Sequence, residues 1–264
     1  MKPGKSRVKS TMARQPERTI QTPSGDLLVQ IALFFLGLPY EGATLDGGGA
    51  EKLVVRFDAF DCTTFVETVL AAALNITAGG TGASGLAAHL KRIRYRGGKI
   101  SGYASRLHYF SDWLADNEKK KILKDVSRLL GGRPQRKKIN FMSSRPELYP
   151  GLRSKTARDK IRQTEQMLSR KTFYMIDKKD FSAVSDKIKN GDIIAFVSGK
   201  QGLDVAHIGF AVRKGKRLRL LHASQKEGAV VISQKTLGAY LKSSADFTGI
   251  HIARIRRSST TISK

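Results

Sequence analysis

The chain has 264 residues, of which 40% are hydrophobic, and a formal net charge of +26. This length buries one large core or two modest ones, and no linker divides the segments described below, so we expect a single domain. One cysteine is present, which excludes an internal disulfide framework and a cysteine-rich zinc site.

The N-terminal region combines a basic stretch with an apolar run. Residues 1–24 are predicted to form a basic flexible tail, followed by a helix from Asp26 to Gly37. This arrangement resembles a signal peptide, but Asp26 abuts the apolar run, Gln30 interrupts it, and the run is too short to span a membrane. We therefore predict a first core helix. Without an export signal, the localisation stays open between the cytoplasm and delivery by another route.

The single cysteine, Cys62, begins an apolar run with helical spacing that is predicted to extend to Ile76. Asp61 directly before it is a suitable N-cap residue. The free amide groups at a helix N-terminus favour a nearby thiolate, so this position suits a cysteine nucleophile. A small buried hydrophobic residue is the alternative, because free cysteine is often buried.

The middle of the chain is strongly basic. A glycine-rich loop over residues 78–85 leads into a helical region that extends to about Arg170, with basic clusters at 119–121, 133–138 and 153–171. Such charge attracts nucleic acid, anionic lipid or anionic wall polymer without sequence preference. A nucleic-acid-binding protein is therefore an alternative of another class, although zinc-finger spacing and RNA-recognition blocks are missing from the sequence. Solvated helix faces are the third interpretation.

The last third of the chain is predicted to contain strands and one short helix. The strands are Asp192 to Val197, Val205 to Val212, Leu218 to Ala223, Ala229 to Ile232 and Phe247 to Ile255, and the helix is Thr236 to Leu241. Helices first and strands last predict an α+β fold. The expected domain covers residues 25–256, and residues 257–264 form a C-terminal tail.

Two histidines fall on neighbouring predicted strands. If Lys214 and Gly215 are the central residues of a hairpin turn, His207 lies directly opposite His222 on the same face, within hydrogen-bonding reach. A turn one residue longer would remove this direct pairing. One imidazole can take the proton of Cys62 and return it to a leaving amine, while the other fixes its tautomer.

Several segments, in this order along the chain, resemble the signature blocks of NlpC-type, papain-like cysteine hydrolases of bacterial peptidoglycan. They are GLPY at 37–40, FDCTTF at 60–65, AHIGF at 206–210 and LHAS at 221–224. Further segments are similar to one branch of that superfamily, the N-acetylmuramoyl-L-alanine amidase-like proteins formerly described as a domain of unknown function. These are 57–60, 106–113 and 140–149.

The resemblance implies an amidase that cuts the bond between the lactyl group of N-acetylmuramic acid and L-alanine. By that analogy Cys62 attacks the lactyl carbonyl, His207 is base and acid, His222 completes the triad, and the acyl-enzyme is a muramoyl thioester. The implied fold is papain-like, with the nucleophile helix packed on an antiparallel sheet and a helical basic insertion. No metal or other cofactor is implied.

The resemblance also implies substrate-binding residues: Tyr40, Asp61, Arg106, Trp113, Ser143 and Ser144. In a helix, Arg106 and Trp113 would share a face and form a sugar-side wall with the indole stacked on a pyranose ring, whereas an aromatic core stripe is the alternative. The expected partner is peptidoglycan or a muropeptide, with non-specific contact to anionic polymers, no specific nucleic acid and no transmembrane segment. A γ-D-glutamyl-diamino acid endopeptidase is the closer alternative.

Overall fold

The computed structural model describes residues 23–47 and 49–256. These residues form helices and an antiparallel sheet, which is the predicted α+β class. The helices are α1 Gly25–Leu33, α2 Cys62–Thr77, α3 Ala83–Arg94, α4 Phe110–Lys119, α5 Lys155–Arg170 and α6 Leu237–Lys242. The strands are β1 Leu123–Asp125, β2 Arg133–Gln135, β3 Phe173–Asp177, β4 Ile193–Ser198, β5 Val205–Lys214, β6 Arg217–Ser224, β7 Ala229–Thr236 and β8 Phe247–Ile255.

The sheet has the order β2-β3-β8-β4-β5-β6-β7, with β1 paired to the end of β8. Strand β4 is buried along its whole length, because helices and loops cover both faces of the sheet at its centre. Its continuous apolar sequence is typical of such a strand. The ladder β8-β4-β5-β6 thus forms the rigid platform on which the helices pack.

Helix α2 packs against β5 and β6, and α1 packs against α2. The contact is aromatic at its centre, where the ring of Phe65 lies 5.8 Å from that of Phe210 in an edge-to-face arrangement. Both rings are fully buried. This packing holds the first residue of α2, Cys62, beside the strand that carries His207.

Helix α1 is the predicted core helix, with Leu28 and Ala32 fully buried. It ends at Leu33 instead of Gly37, and its N-cap is Ser24, whose hydroxyl accepts a hydrogen bond from Leu27 N–H at 3.1 Å. The predicted tails, residues 1–24 and 257–264, lie outside the described residues except for the last two residues of the first. None of the described helices is both long and apolar enough to cross a bilayer.

The basic middle is less helical than predicted. Helices α3, α4 and α5 are separated by irregular segments and by the short strands β1 and β2, and the predicted glycine-rich loop ends where α3 begins at Ala83. Strand β3 was also missing from the prediction. Strands of three to five residues contain too few positions to show a period of two.

Candidate active site

Cys62 is the first residue of α2, as predicted. A reciprocal capping box fixes this helix start: Thr64 N–H donates to Asp61 Oδ1 at 2.7 Å, and Asp61 N–H donates to Thr64 Oγ1 at 2.9 Å. The cap holds the backbone on both sides of Cys62. The thiol therefore projects from a fixed point at the positive end of the helix dipole.

The predicted register of the β5–β6 hairpin was wrong. Lys214 pairs with Arg217, so the turn residues are 215 and 216, one position further along the chain than expected. Gly215 has φ 59°, in the left-handed region that glycine adopts without a side-chain clash. A glycine fits either central position of such a turn, which is why counting from it did not fix the register.

His207 and His222 are consequently diagonal neighbours and not directly opposed. They still meet on one face, with His207 Nε2 and His222 Nδ1 hydrogen-bonded at 2.7 Å. Gly209 makes this possible because it lies beside His222: a Cβ at position 209 would come within 2.8 Å of the His222 Cβ. Because Gly209 has no side chain, the imidazole of His222 has space to approach His207.

Cys62 and His207 line one cavity of about 170 Å³. Its walls come from the start of α2, the start of β5 and the segment 107–113, with Met142 and Tyr149 at the side. Among the described residues, the only hydrogen-bonding contact of the Cys62 sulfur to a side chain is Thr63 Oγ1 at 4.0 Å, so thiol and imidazole are neighbours without a direct bond. Catalytic hydrogen bonds are often long before substrate binds.

The pKa of the Cys62 thiol is raised to about 11, mainly by burial and to a smaller extent by the carboxylate of Asp61. Burial also lowers the pKa of His207 to about 3, with His222 adding to the shift, and burial lowers the pKa of His222 to about 4. The resting pair is thus a neutral thiol and a neutral imidazole. Burial is the largest influence on the Cys62 pKa, and it opposes the thiolate that the helix start is expected to favour.

Tyr240 on α6 was missing from the predicted site. Its ring lies 5.2 Å from that of His222 and 6.2 Å from that of His207. Burial raises the pKa of Tyr240 to about 12, and the charge of Cys62 contributes to this shift. No motif surrounds Tyr240, so only the packing of α6 on β6 and β7 brings it to the site.

The sequence matches the family described as AmiA-like, N-acetylmuramoyl-L-alanine amidase-like, over residues 30–250. The chain belongs to this family. Solved structures agree: an N-acetylmuramoyl-L-alanine amidase from Bacteroides uniformis aligns with a TM-score of 0.84 and 38% identity, covering 88% of this chain and 99% of the other. The protein is therefore an amide hydrolase.

Two further solved structures are similar. A Bacteroides fragilis protein described as a candidate xylanase aligns with a TM-score of 0.81 and 39% identity, covering 85% of this chain and 99% of the other. A Legionella pneumophila protein shares the fold at 23% identity, with a TM-score of 0.66 over 89% of each chain. No protein of curated function matches the hydrolase significantly.

Two predicted substrate-binding residues of this amidase-like protein flank the thiol. Asp61 uses its carboxylate for the capping box. Tyr40 is bridged to Phe60 and is partly buried, and its pKa is raised by burial and then by the charges of Cys62 and Asp61. The bridge to Phe60 brings Tyr40 next to the segment that leads into α2.

Arg106 does not line the cavity of the hydrolase. It is 6% exposed, donates to Asp46 Oδ1 at 2.5 Å, lies 3.3 Å from Glu51 Oε1, and its guanidinium is 4.9 Å from the centre of the Tyr103 ring. Residue 106 precedes α4, which begins at Phe110, so the segment is not one continuous helix. Its sugar-binding role stays a prediction, and its visible contacts are structural.

Trp113 does line the cavity, but only 2% of it is exposed and its ring centre lies 5.6 Å from that of Phe110. The indole is thus part of the wall. On the same helix, Asp112 forms a bidentate pair with Arg96, at 3.0 and 2.5 Å.

Ser143 and Ser144 lie in a turn next to the cavity and are not among the residues that line it. Ser143 N–H donates to Glu165 Oε1 at 2.9 Å, and Ser144 Oγ donates to Phe141 O at 3.2 Å. Their neighbours Met142 and Tyr149 reach the cavity instead. Within the described residues, no cluster of three or more histidine, cysteine or acidic side chains could hold a metal ion.

Proposed function

We propose that this protein is a cysteine-dependent N-acetylmuramoyl-L-alanine amidase with a papain-like fold, which cleaves the lactyl–L-alanine amide of muropeptides. The observation that carries the proposal is the placement of Cys62 and His207 on one cavity, with His222 hydrogen-bonded to His207 at 2.7 Å. We call these three residues the proposed triad. A helix that begins with the nucleophile and packs on an antiparallel sheet supports the papain-like assignment.

The first step is attack of the Cys62 sulfur on the lactyl carbonyl carbon. The thiol proton moves to Nδ1 of His207, which is the nitrogen left available when Nε2 is bonded to His222. A tetrahedral intermediate forms. Its collapse breaks the carbon–nitrogen bond, and His207 returns the proton to the departing amine of L-alanine, leaving a muramoyl thioester on Cys62.

Water then hydrolyses the thioester. His207 takes a proton from the water as it attacks, and the sulfur leaves and recovers a proton from the imidazolium. The products are a free lactyl carboxylate on the sugar and an intact stem peptide with a free amine. The chain therefore needs only the triad and a donor for the oxyanion.

The start of α2 and the neighbouring strand β5 offer candidates for that donor. The N–H groups of Thr64 and Phe65 are bonded to the side chain and the carbonyl oxygen of Asp61, respectively. The backbone N–H groups of Cys62 and Ile208 both lower the pKa of the Cys62 thiol. These two N–H groups are the candidates to stabilise negative charge on an oxygen bound beside the thiol.

His222 orients the base. If His207 Nε2 carries the hydrogen, His222 Nδ1 accepts it, and the imidazolium formed during attack is supported by a neutral ring. His222 is fully buried, and its Nε2 has no protein partner among the described residues. The edge-to-face ring of Tyr240 covers this imidazole and restricts its rotation.

One structural neighbour is described as a candidate xylanase, which would hydrolyse glycosides. The cavity of this protein fits that chemistry poorly. That chemistry usually needs two carboxylates flanking the scissile bond. The lining contains a single carboxylate, Asp204, which accepts hydrogen bonds from Ser111 N–H at 2.8 Å and Val205 N–H at 2.7 Å. The cysteine and the two histidines of the lining, His108 and His207, are the groups left for catalysis.

Mass spectrometry of defined muropeptides tests the proposal. The protein and its Cys62→Ala variant are incubated with anhydro and reduced muropeptides in parallel. Release of the intact stem peptide by the wild type alone supports the amidase. Cleavage after D-glutamate would instead identify the endopeptidase, and equal turnover by Cys62→Ala would contradict the cysteine mechanism.

A further inference from the structure

A third imidazole lies on the wall of the cavity and takes no part in the proposed triad. His108 lines the cavity, and its Nε2 lies 2.9 Å from the backbone carbonyl oxygen of Tyr103. A carbonyl oxygen only accepts hydrogen bonds, so Nε2 carries the hydrogen. The ring also packs on that of Tyr103, with 4.4 Å between the centroids, which fixes its orientation.

The other nitrogen of His108 is therefore a hydrogen-bond acceptor. Burial, with the nearby charge of Arg106, lowers the pKa of His108 to about 3, so the ring is neutral and Nδ1 holds a free lone pair at neutral pH. Within the described part of the chain, Nδ1 has no hydrogen-bond partner. It also differs from the unpartnered polar atoms that are fully enclosed by protein, because it is not one of them. It remains accessible at the cavity.

The rest of the cavity contains no positively charged side chain. Its lining includes no lysine or arginine, and its one carboxylate, Asp204, is bonded to backbone N–H groups. Apolar side chains such as Leu107 and Met142 form much of the wall. The indole N–H of Trp113, in the same wall, is buried and has no partner among the residues that the structure describes. A small neutral group with an N–H donor, a carbonyl acceptor and a methyl group complements these features.

We propose that His108 Nδ1 accepts the N–H of the acetamido group of the amino sugar, next to the scissile lactyl amide. This inference rests on the proposed function. On the other side of the scissile bond, the stem peptide carries the carboxylate of D-glutamate, which a cavity without cations does not favour. The acetamido group is the neutral secondary amide on the acyl side, and His108 thereby selects substrates by the sugar.

A substrate with one atom changed tests the inference. In a 2-O-acetyl analogue an ester oxygen replaces the acetamido N–H, so the carbonyl and methyl group remain while the donor is lost. We expect wild-type kcat/KM to fall roughly tenfold on the analogue, the scale of one neutral hydrogen bond. His108→Phe, which keeps an aromatic ring against Tyr103, should lose a similar factor on the natural substrate and show no preference between the two substrates.

His108→Asn is the matched variant, because its side-chain oxygen lies near the position of Nδ1 and retains an acceptor. It should keep part of the preference for the amide. A preference that is unchanged in His108→Phe, or an analogue that wild type cleaves as fast as the amide, would overturn the inference. The analogue experiment uses unaltered protein, so it does not depend on the folding of a variant.

The two proposals fail differently. Absence of turnover on every muropeptide would remove the proposed function and this inference with it. Normal cleavage of the lactyl amide with no discrimination against the ester would leave the amidase intact and overturn only the role of His108. Binding of both substrates to Cys62→Ala, measured by calorimetry, should show the same preference in affinity.

Discussion

Two groups of polar side chains in the interior of the protein differ in how completely they are hydrogen-bonded. The ion-pair cluster consists of Arg94, Glu67, Arg106, Asp46 and Glu51. Arg94 Nε donates to Glu67 Oε2 at 2.6 Å, with both side chains about 2% exposed, and a second Arg94 nitrogen donates to a backbone carbonyl at 2.6 Å. Each carboxylate of the cluster lies within 3.3 Å of an arginine nitrogen.

The proposed triad is the opposite case. Within the described residues, Cys62 makes no hydrogen bond to the imidazoles, Nδ1 of His207 has no partner, and Nε2 of His222 is buried and unpartnered. Unused hydrogen-bonding capacity costs stability, and it is available to a substrate. The contrast teaches that structural charges in this protein are paired with one another, whereas the proposed triad keeps ring nitrogens without a partner among the described residues.

The largest expected effect is on Cys62. Cys62→Ala should lower kcat/KM by at least about 10⁴-fold, since removing the nucleophile removes the covalent route. Its free energy of unfolding should stay within about 1 kcal/mol of wild type, because the residue sits at a helix start and is only partly buried. Muropeptide turnover and urea unfolding measure the two quantities. If Cys62→Ala unfolds, Cys62 has a structural role like that of the ion-pair cluster.

The two histidines should differ in size of effect. His207→Ala should be as inactive as Cys62→Ala, because the base and acid are lost together. His222→Ala should lose a smaller factor, of order 10² to 10³, since it acts through His207. Initial rates on one muropeptide give both values. Equal losses in the two variants would mean that His222 also contacts the reacting atoms.

The ion-pair cluster should respond in stability and not in chemistry. Arg94→Met leaves Glu67 as an uncompensated buried charge and should lower the free energy of unfolding by about 3–5 kcal/mol. The double variant Arg94→Met/Glu67→Leu should recover much of this loss. Turnover per folded molecule should remain close to wild type in the double variant. A stable Arg94→Met protein without activity would contradict the separation of the two groups.

The pH dependence sharpens the account of the neutral triad. As pH falls through the pKa of His207, the imidazole gains a proton and can no longer accept that of the thiol. Because burial lowers this pKa to about 3, kcat/KM should have no acid limb near the ordinary histidine value of about 6.5. Rates from pH 7 down to about pH 5, with circular dichroism to verify the fold, measure this. A limb near pH 6.5 would show that His207 titrates near its ordinary value and would contradict the lowering of its pKa by burial.

The smallest effect concerns Asp61, for which the chain offers a matched pair. Asp61→Asn keeps a capping side chain and removes the charge that raises the thiol pKa, whereas Asp61→Ala removes both. Asp61→Ala should cost about 1 kcal/mol of stability and Asp61→Asn much less. Both should lower the pKa of Cys62, measured by the pH dependence of alkylation. An unchanged pKa in both variants would mean that burial alone sets it.

The local features of the fold were predictable from the sequence. The start of α2, its N-cap and the strands β4 to β8 depend on short-range patterns and agree with the structure to within a few residues. The first helix was predicted too long, because Phe34 and Leu36 continue the apolar pattern while lying exposed. The apolar pattern alone does not show whether a residue has a partner to pack against.

The parts of the site that depend on distant contacts were not predictable. The hairpin register shifted by one turn position, yet the histidine pair survived because Gly209 makes room for His222. Tyr240 reaches the site through packing of α6, and Arg106 was assigned to substrate although acidic side chains from residues 46 and 51 pair with it. Each outcome depends on residues far apart in the chain, which periodicity does not reveal.

The most direct test of the central claim is to trap the acyl-enzyme. The protein is mixed with a muropeptide, quenched in acid within one turnover, and its intact mass and peptide map are recorded; Cys62→Ala is the control. The account predicts an added muramoyl mass on the peptide that contains Cys62, absent from the control and sensitive to hydroxylamine. Product release in the first turnover with no adduct, or with an adduct on another residue, would contradict it.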